Sequence, residues 1–178
     1  MREQRRSELA RAFVRVLGTH GHGAATIAAV ASEAGIAPGL VHHHFDSKQD
    51  LWGAAVAELV GSFRRSLAEA AEGDALDAYL DAALALGDRS DVIGARAWVG
   101  VFAEALSEPA LFAKVRRVLD AEIAHVERRA GMSAEDASAV VALVVGSLVL
   151  GAFAPRRTAG FAAPRAKRMV RALATAKR

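Results

Sequence analysis

An all-α protein is what these 178 residues predict, and three features carry that expectation. Alanine dominates the chain, and proline, which a helix interior cannot accommodate, occurs only four times. No stretch alternates apolar and polar residues with the period of two that marks a half-buried strand. Apolar residues recur instead at helical spacing, beginning with Leu9, Ala12, Phe13, Val16 and Leu17. These fall on one stripe, while Arg5, Arg6, Arg11 and Arg15 lie largely off it.

The elements follow in order. That stripe predicts a first helix over 2–19, broken by HGHG at 20–23. A short second helix covers 26–33 and stops at Gly35. A third opens at Pro38, whose fixed φ suits the first helical position, and ends near Phe45. Ser47 is a side-chain cap for a long fourth helix running from Lys48 towards Ala71. After Gly73-Asp74 comes DALDAYLDAALAL, then a polar stretch at 87–91 and a sixth helix over 92–106. Glu108-Pro109 opens a seventh, ended by Gly131. Ser133, with Asp136 three residues on, caps an eighth that stops before Pro155. A loop over 156–163 leads to a last amphipathic helix from Pro164, with Ala166, Met169, Val170 and Leu173 on one stripe. The total is about nine helices.

Composition narrows the function. Cysteine is absent, which excludes a disulfide framework and thiolate chemistry. The charged start MREQRRSELARAF lacks the apolar run of an export signal, so a cytoplasmic setting is expected. The net charge of +3 conceals an asymmetry, because all eight charged residues from Arg156 onward are basic. A solvated basic helix accounts for that tail as well as a nucleic-acid partner does. No nucleophile–base pair has a recognisable context, so no enzyme is expected.

Residues 27–46, IAAVASEAGIAPGLVHHHFD, carry the strongest signal. Ala31 is small where two helices must approach, and Gly35 occupies a turn where a left-handed backbone favours glycine. Val30, Ile36 and Val41 are apolar where the two helices pack. This spacing is that of a helix-turn-helix, although an ordinary helical hairpin also uses small residues in its turn. Within it, Pro38, Gly39 and Leu40 open the helix that would enter the major groove. Gly39 permits close backbone approach, Leu40 suits a thymine methyl, and His43 can donate to guanine or phosphate. Thr26 and Lys48 suit phosphate contacts, Lys48 at a helix N-terminus where unpaired N–H groups also favour an anion. A metal site is the rival reading of the histidines. Consecutive helical residues point about 100° apart, so His42, His43 and His44 do not converge on one ion. One of them with His20 and His22 stays conceivable; no metal and no cofactor are expected.

ATIAAVASEAGIAPGLVHHHFDSKQDLW resembles the signature of the TetR family of one-component transcriptional regulators. The matching parts are Thr26, Ala34-Gly35-Ile36, His42-His43-His44-Phe45 and Ser47-Lys48-Gln49-Asp50-Leu51. The resemblance implies a DNA-binding domain at 1–46 that uses Thr26, Ala37, Pro38, Gly39, Leu40, His42, His43, His44 and Lys48. It implies an effector-binding and dimerisation domain at 47–178. Two departures bear on base preference: Ala37 stands where Ser or Thr is common, and His42 where Tyr is. The expected partners are double-stranded DNA carrying an inverted repeat, a second copy of the chain, and a small-molecule effector. RAWVGVFAEALSEPALF further resembles the subfamily of choline-responsive repressors of glycine-betaine synthesis.

Residues 137–154 are eighteen uncharged residues in a row, at the border of a transmembrane length. Their many small residues, the cap at Ser133 and the stop at Pro155 suit a buried helix at a dimer interface instead, so no membrane partner is expected. In proteins of the resembled family the last two helices pair across a two-fold axis. Helix 92–106 is the expected wall of an effector pocket, with Trp98, Val101, Phe102 and Ala105 on one face. Glu104 beside them and Tyr79 on the fifth helix would complete a site for a cation. The alternative is that the rings are core and Glu104 pairs with Arg96 or Arg116. Two other functions stay open: a constitutive architectural DNA binder without effector, and a membrane-surface interaction protein.

Overall fold

The computed structural model describes residues 2–69, 74–84, 89–158 and 162–175, and no strand occurs among them. The chain forms α1 (Arg2–His20), a 3₁₀ turn (His22–Ala24), α2 (Ile27–Glu33), α3 (Pro38–His42), α4 (Lys48–Glu69) and α5 (Ala75–Ala83). It continues as α6 (Arg89–Ala105), α7 (Pro109–Ala130), α8 (Ala134–Phe153), α9 (Pro155–Thr158) and α10 (Ala162–Thr175). Nine of these are the expected helices. The ninth position in the chain differs: Pro155 ends α8 and also starts the single turn α9, where a loop was expected. Proline lacks the N–H that a first helical turn leaves unused, so it serves both purposes. The expected break at Gly73 and the side chain of Leu173 lie outside the described residues.

Local chemistry explains the ends. Thr26 Oγ1 accepts from the Ala29 N–H at 3.1 Å and caps α2. Ser47 Oγ accepts from Asp50 N–H at 3.1 Å at the start of α4. Ser133 Oγ accepts from Asp136 N–H and so caps α8 as its spacing predicts, while its hydroxyl donates to the Asp136 carboxylate.

Two compact units result: residues 1–62 with 93–116, and residues 63–92 with 117–178. The domain boundary expected at 46/47 falls inside the first. In that unit α1, α2, α3 and α4 bury Leu9, Phe13, Val30, Val41 and Trp52, and α6 adds Val101. The Phe13 and Trp52 rings meet edge to face with centroids 4.8 Å apart. Gly18 of α1 lies against Ile93, a closeness that leaves no room for a side chain.

In the second unit Leu80 of α5, Val126 of α7, Val140 and Val144 of α8 and Val170 of α10 are buried. The basic face of α10 is not wholly solvated, since Lys167 pairs with Asp81 and Arg171 with Asp77, both on α5. Tyr79 is buried beside Phe63 (T-shaped, 5.6 Å) and His125 (tilted, 6.2 Å). A cavity of about 10 Å³, the size for one water, opens there between α5 and α7. Burial raises the pKa of Glu122 above the ordinary carboxylate range, against the pull of Arg64. A raised carboxyl contributes stability while protonated and loses it as pH rises through its folded-state pKa. Glu122→Gln is therefore expected to raise the unfolding temperature at pH 7 relative to wild type, and to make little difference near pH 4. Equal shifts at both pH values would contradict this account.

Candidate nucleic-acid interface

The α2–α3 turn is built by backbone chemistry. Gly35 has φ +67°, a conformation L side chains rarely adopt. It lets the Ile36 N–H reach Ala31 C=O at 2.9 Å and the Gly35 N–H reach Ser32 C=O at 3.2 Å. That pair of bonds is a Schellman ending, and it fixes the angle at which α3 leaves α2. Val30, Ala31 and Val41 are buried where the helices meet.

The opposite side of α3 faces solvent. Ala37, Pro38, Gly39, Leu40, His42 and His43 are all exposed, as are Thr26 and Lys48. Leu40 is 46% exposed, unusual for a leucine flanked by well-packed helices. Ala37 caps α3 without a side-chain bond, as its lack of a hydroxyl dictates. A Cβ added at Gly39 would meet nothing within 4 Å. Packing of the protein on itself thus gives no reason for glycine there. Gly39→Ala is expected to keep the wild-type melting temperature while weakening duplex binding. Unchanged duplex binding would mean that no backbone approach occurs at this position.

His44 departs from its neighbours. It is half-buried, its Nδ1 finds no partner among the described residues, and its carbonyl accepts a bond from Arg6. Arg6 also donates from Nη1 and Nη2 to the two carboxylate oxygens of Asp50, at 3.1 and 2.9 Å. Its guanidinium lies 4.4 Å from the Phe45 ring centroid. Arg6 holds Asp50 below the ordinary carboxylate range. One arginine thus ties the end of the reading helix to α1 and α4, a role the sequence reading missed. An arginine off the apolar stripe of α1 and an acid in SKQDL are its only sequence traces.

The expected effector residues divide between the units. Tyr79 belongs to the second. In the first, Val101 and Ala105 are buried, and Trp98 stacks on Phe102 with centroids 5.5 Å apart, both half-buried. Glu104 pairs with neither Arg96 nor Arg116 in the described contacts. Its carboxylate is engaged by His22, which stacks on Trp52 at 5.6 Å, and stands 4.0 Å from Lys48 Nζ.

An exposed short helix, set by a glycine turn against a partner helix and flanked by two capped N-termini, is a helix-turn-helix DNA-binding head. Residues 9–55 match the family described as bacterial regulatory proteins, tetR family. A regulator from Burkholderia mallei (strain NCTC 10229) named HTH-type transcriptional regulator BetI is 32% identical over 167 residues, 86% of this chain and 85% of that protein. The chain belongs to the TetR family. A regulator of the same name from Rhizobium meliloti (strain 1021) is 32% identical over 67% of this chain, an alignment that spans 59% of that protein. A transcriptional regulator from Rhodococcus sp. Rha1 shares the fold with a TM-score of 0.83, at 24% identity over 93% of this chain and 92% of that one. A regulator from Saccharomonospora viridis, solved in complex with choline, shares it at 0.70, with 19% identity over 95% and 94% of the two chains.

Proposed function

We propose that this regulator is a cytoplasmic repressor that binds an inverted-repeat operator as a homodimer and leaves it when a small-molecule effector, of cationic character, binds. The exposed face from Pro38 to His43, with Thr26 and Lys48 beside it, carries the reading. One five-residue reading helix touches few bases, so two half-sites about one helical turn or a multiple apart are needed. The dimer is supported by large apolar side chains left exposed on α8 and α10: Leu150, Phe153 and Met169. The effector is supported by the neighbour from Saccharomonospora viridis, which was solved with choline bound.

The test compares an inverted-repeat duplex with a random one across a salt series. Lys48→Ala is expected to weaken both alike and to lower the salt slope by about one. His43→Ala is expected to change base preference instead. Variants that bind both duplexes like wild type would remove α3 and the start of α4 from the interface.

A further inference from the structure

We propose that Glu104 is a positioning residue for DNA binding: a carboxylate between two phosphate-facing helix N-termini that holds Lys48 back from the duplex and thereby lowers affinity. The inference rests on the reading of Thr26 and Lys48 as phosphate contacts.

Glu104 lies one residue from the end of α6 and reaches two segments of the head at once. One oxygen is bonded to His22 in the 3₁₀ turn that precedes Thr26 and the start of α2. The other is 4.0 Å from the ammonium of Lys48, the first residue of α4. The carboxylate is 21% exposed and Lys48 50%, so the lysine keeps the freedom to turn towards a phosphate while the acid stays put. His22 is anchored by its ring against Trp52, which fixes Glu104 from the other side. Further contacts hold the α6–α7 corner to α4. Gln49 donates to Glu108 at 3.4 Å, and Lys114 donates to the Gly53 carbonyl at 2.6 Å.

The electrostatic consequence has a definite sign. A phosphate approaching Lys48 must draw the ammonium off Glu104 and then sit near a fixed negative charge. Both effects oppose binding, and both depend on where the end of α6 places the carboxylate. A displacement of α6 would thus change DNA affinity through charge alone, with α3 unaltered.

Duplex affinity is to be measured over a salt series for wild type, Glu104→Gln, Glu104→Lys and the pair Glu104→Gln/Lys48→Ala. Glu104→Gln is expected to bind roughly three- to tenfold tighter at low salt, with a slope steeper by up to about one. Glu104→Lys should go further in the same direction. In the Lys48→Ala background the gain should shrink to the part due to direct repulsion. A purely structural role predicts the reverse order, with affinity falling from Gln to Lys as the His22 contact is lost. Affinity unchanged or reduced in Glu104→Gln, with wild-type binding intact, overturns this inference alone. A wild-type protein that binds no duplex overturns it together with the DNA-binding reading.

Discussion

Trp52→Ala is expected to cost about 3–5 kcal/mol of unfolding free energy and to abolish duplex binding at growth temperature. Trp52 is the largest of the fully buried side chains, only 1% exposed. It meets Phe13 of α1 edge to face on one side and carries the His22 ring on another. Truncation leaves a cavity where three segments converge, and rigid helices close such gaps only in part. The head would lose the register between α1 and α4 on which the Arg6 contacts to Asp50 and Phe45 depend. Trp52→Phe keeps an aromatic ring for Phe13 and removes an Nε1–H that has no acceptor among the described residues, so it should cost far less than Ala. Urea unfolding followed by circular dichroism measures both. A loss below about 1 kcal/mol for Ala would place the centre of the head elsewhere.

Where sequence reading succeeded, the governing chemistry was local. Gly35, Pro38, Ser47 and Ser133 each act within five residues of themselves, as a left-handed turn, a fixed φ or a cap. Such residues mark boundaries whatever the rest of the chain does. Burial in the head was legible for the same reason, since Leu9, Phe13 and Val16 repeat at helical spacing. The contacts of Arg6 and Glu104 were not legible because their partners are distant in sequence. Arg6 reaches residues 38 and 44 positions away, and Glu104 finds His22 at a separation of 82. A charge on an apolar helix announces that it needs a partner without saying which. Spacing along α6 placed Glu104 beside Trp98 and Phe102, whereas the fold directs its carboxylate to the head. Tyr79 was joined to them on residue type alone, and its ring contacts with Phe63 and His125 in the second unit had no sequence signal.

Leu150→Glu and Phe153→Glu together are expected to yield a folded monomer whose affinity for the inverted repeat falls by about 10²-fold or more. Helix α8 is the one described helix long and apolar enough to cross a membrane, with mean hydropathy 2.0 and 33% of that stretch buried. Leu143, Val145 and Leu148 are half-buried, whereas Leu150 and Phe153 towards its end stand open, 46% and 77% exposed. A patch of this kind is suited to a second copy of the chain, as the proposed reading of two half-sites requires, because a two-fold interface presents the same patch from both sides. Val145 would be a poorer target for a charge, since it is half-buried within its own chain and its substitution strains the monomer too. At Leu150 and Phe153 a carboxylate stays hydrated in the monomer and is desolvated only in the dimer, so the penalty falls on association. Each half-site is still read by one α3, but the second no longer benefits from being tethered to the first. Binding to a single half-site should therefore be nearly unchanged while the inverted repeat loses its advantage. Sedimentation velocity gives the oligomeric state and fluorescence anisotropy on the two duplexes gives the affinities. A variant that sediments as a dimer and still prefers the inverted repeat would move the interface off α8. A monomer that retains full operator affinity would show that each chain reads its half-site independently.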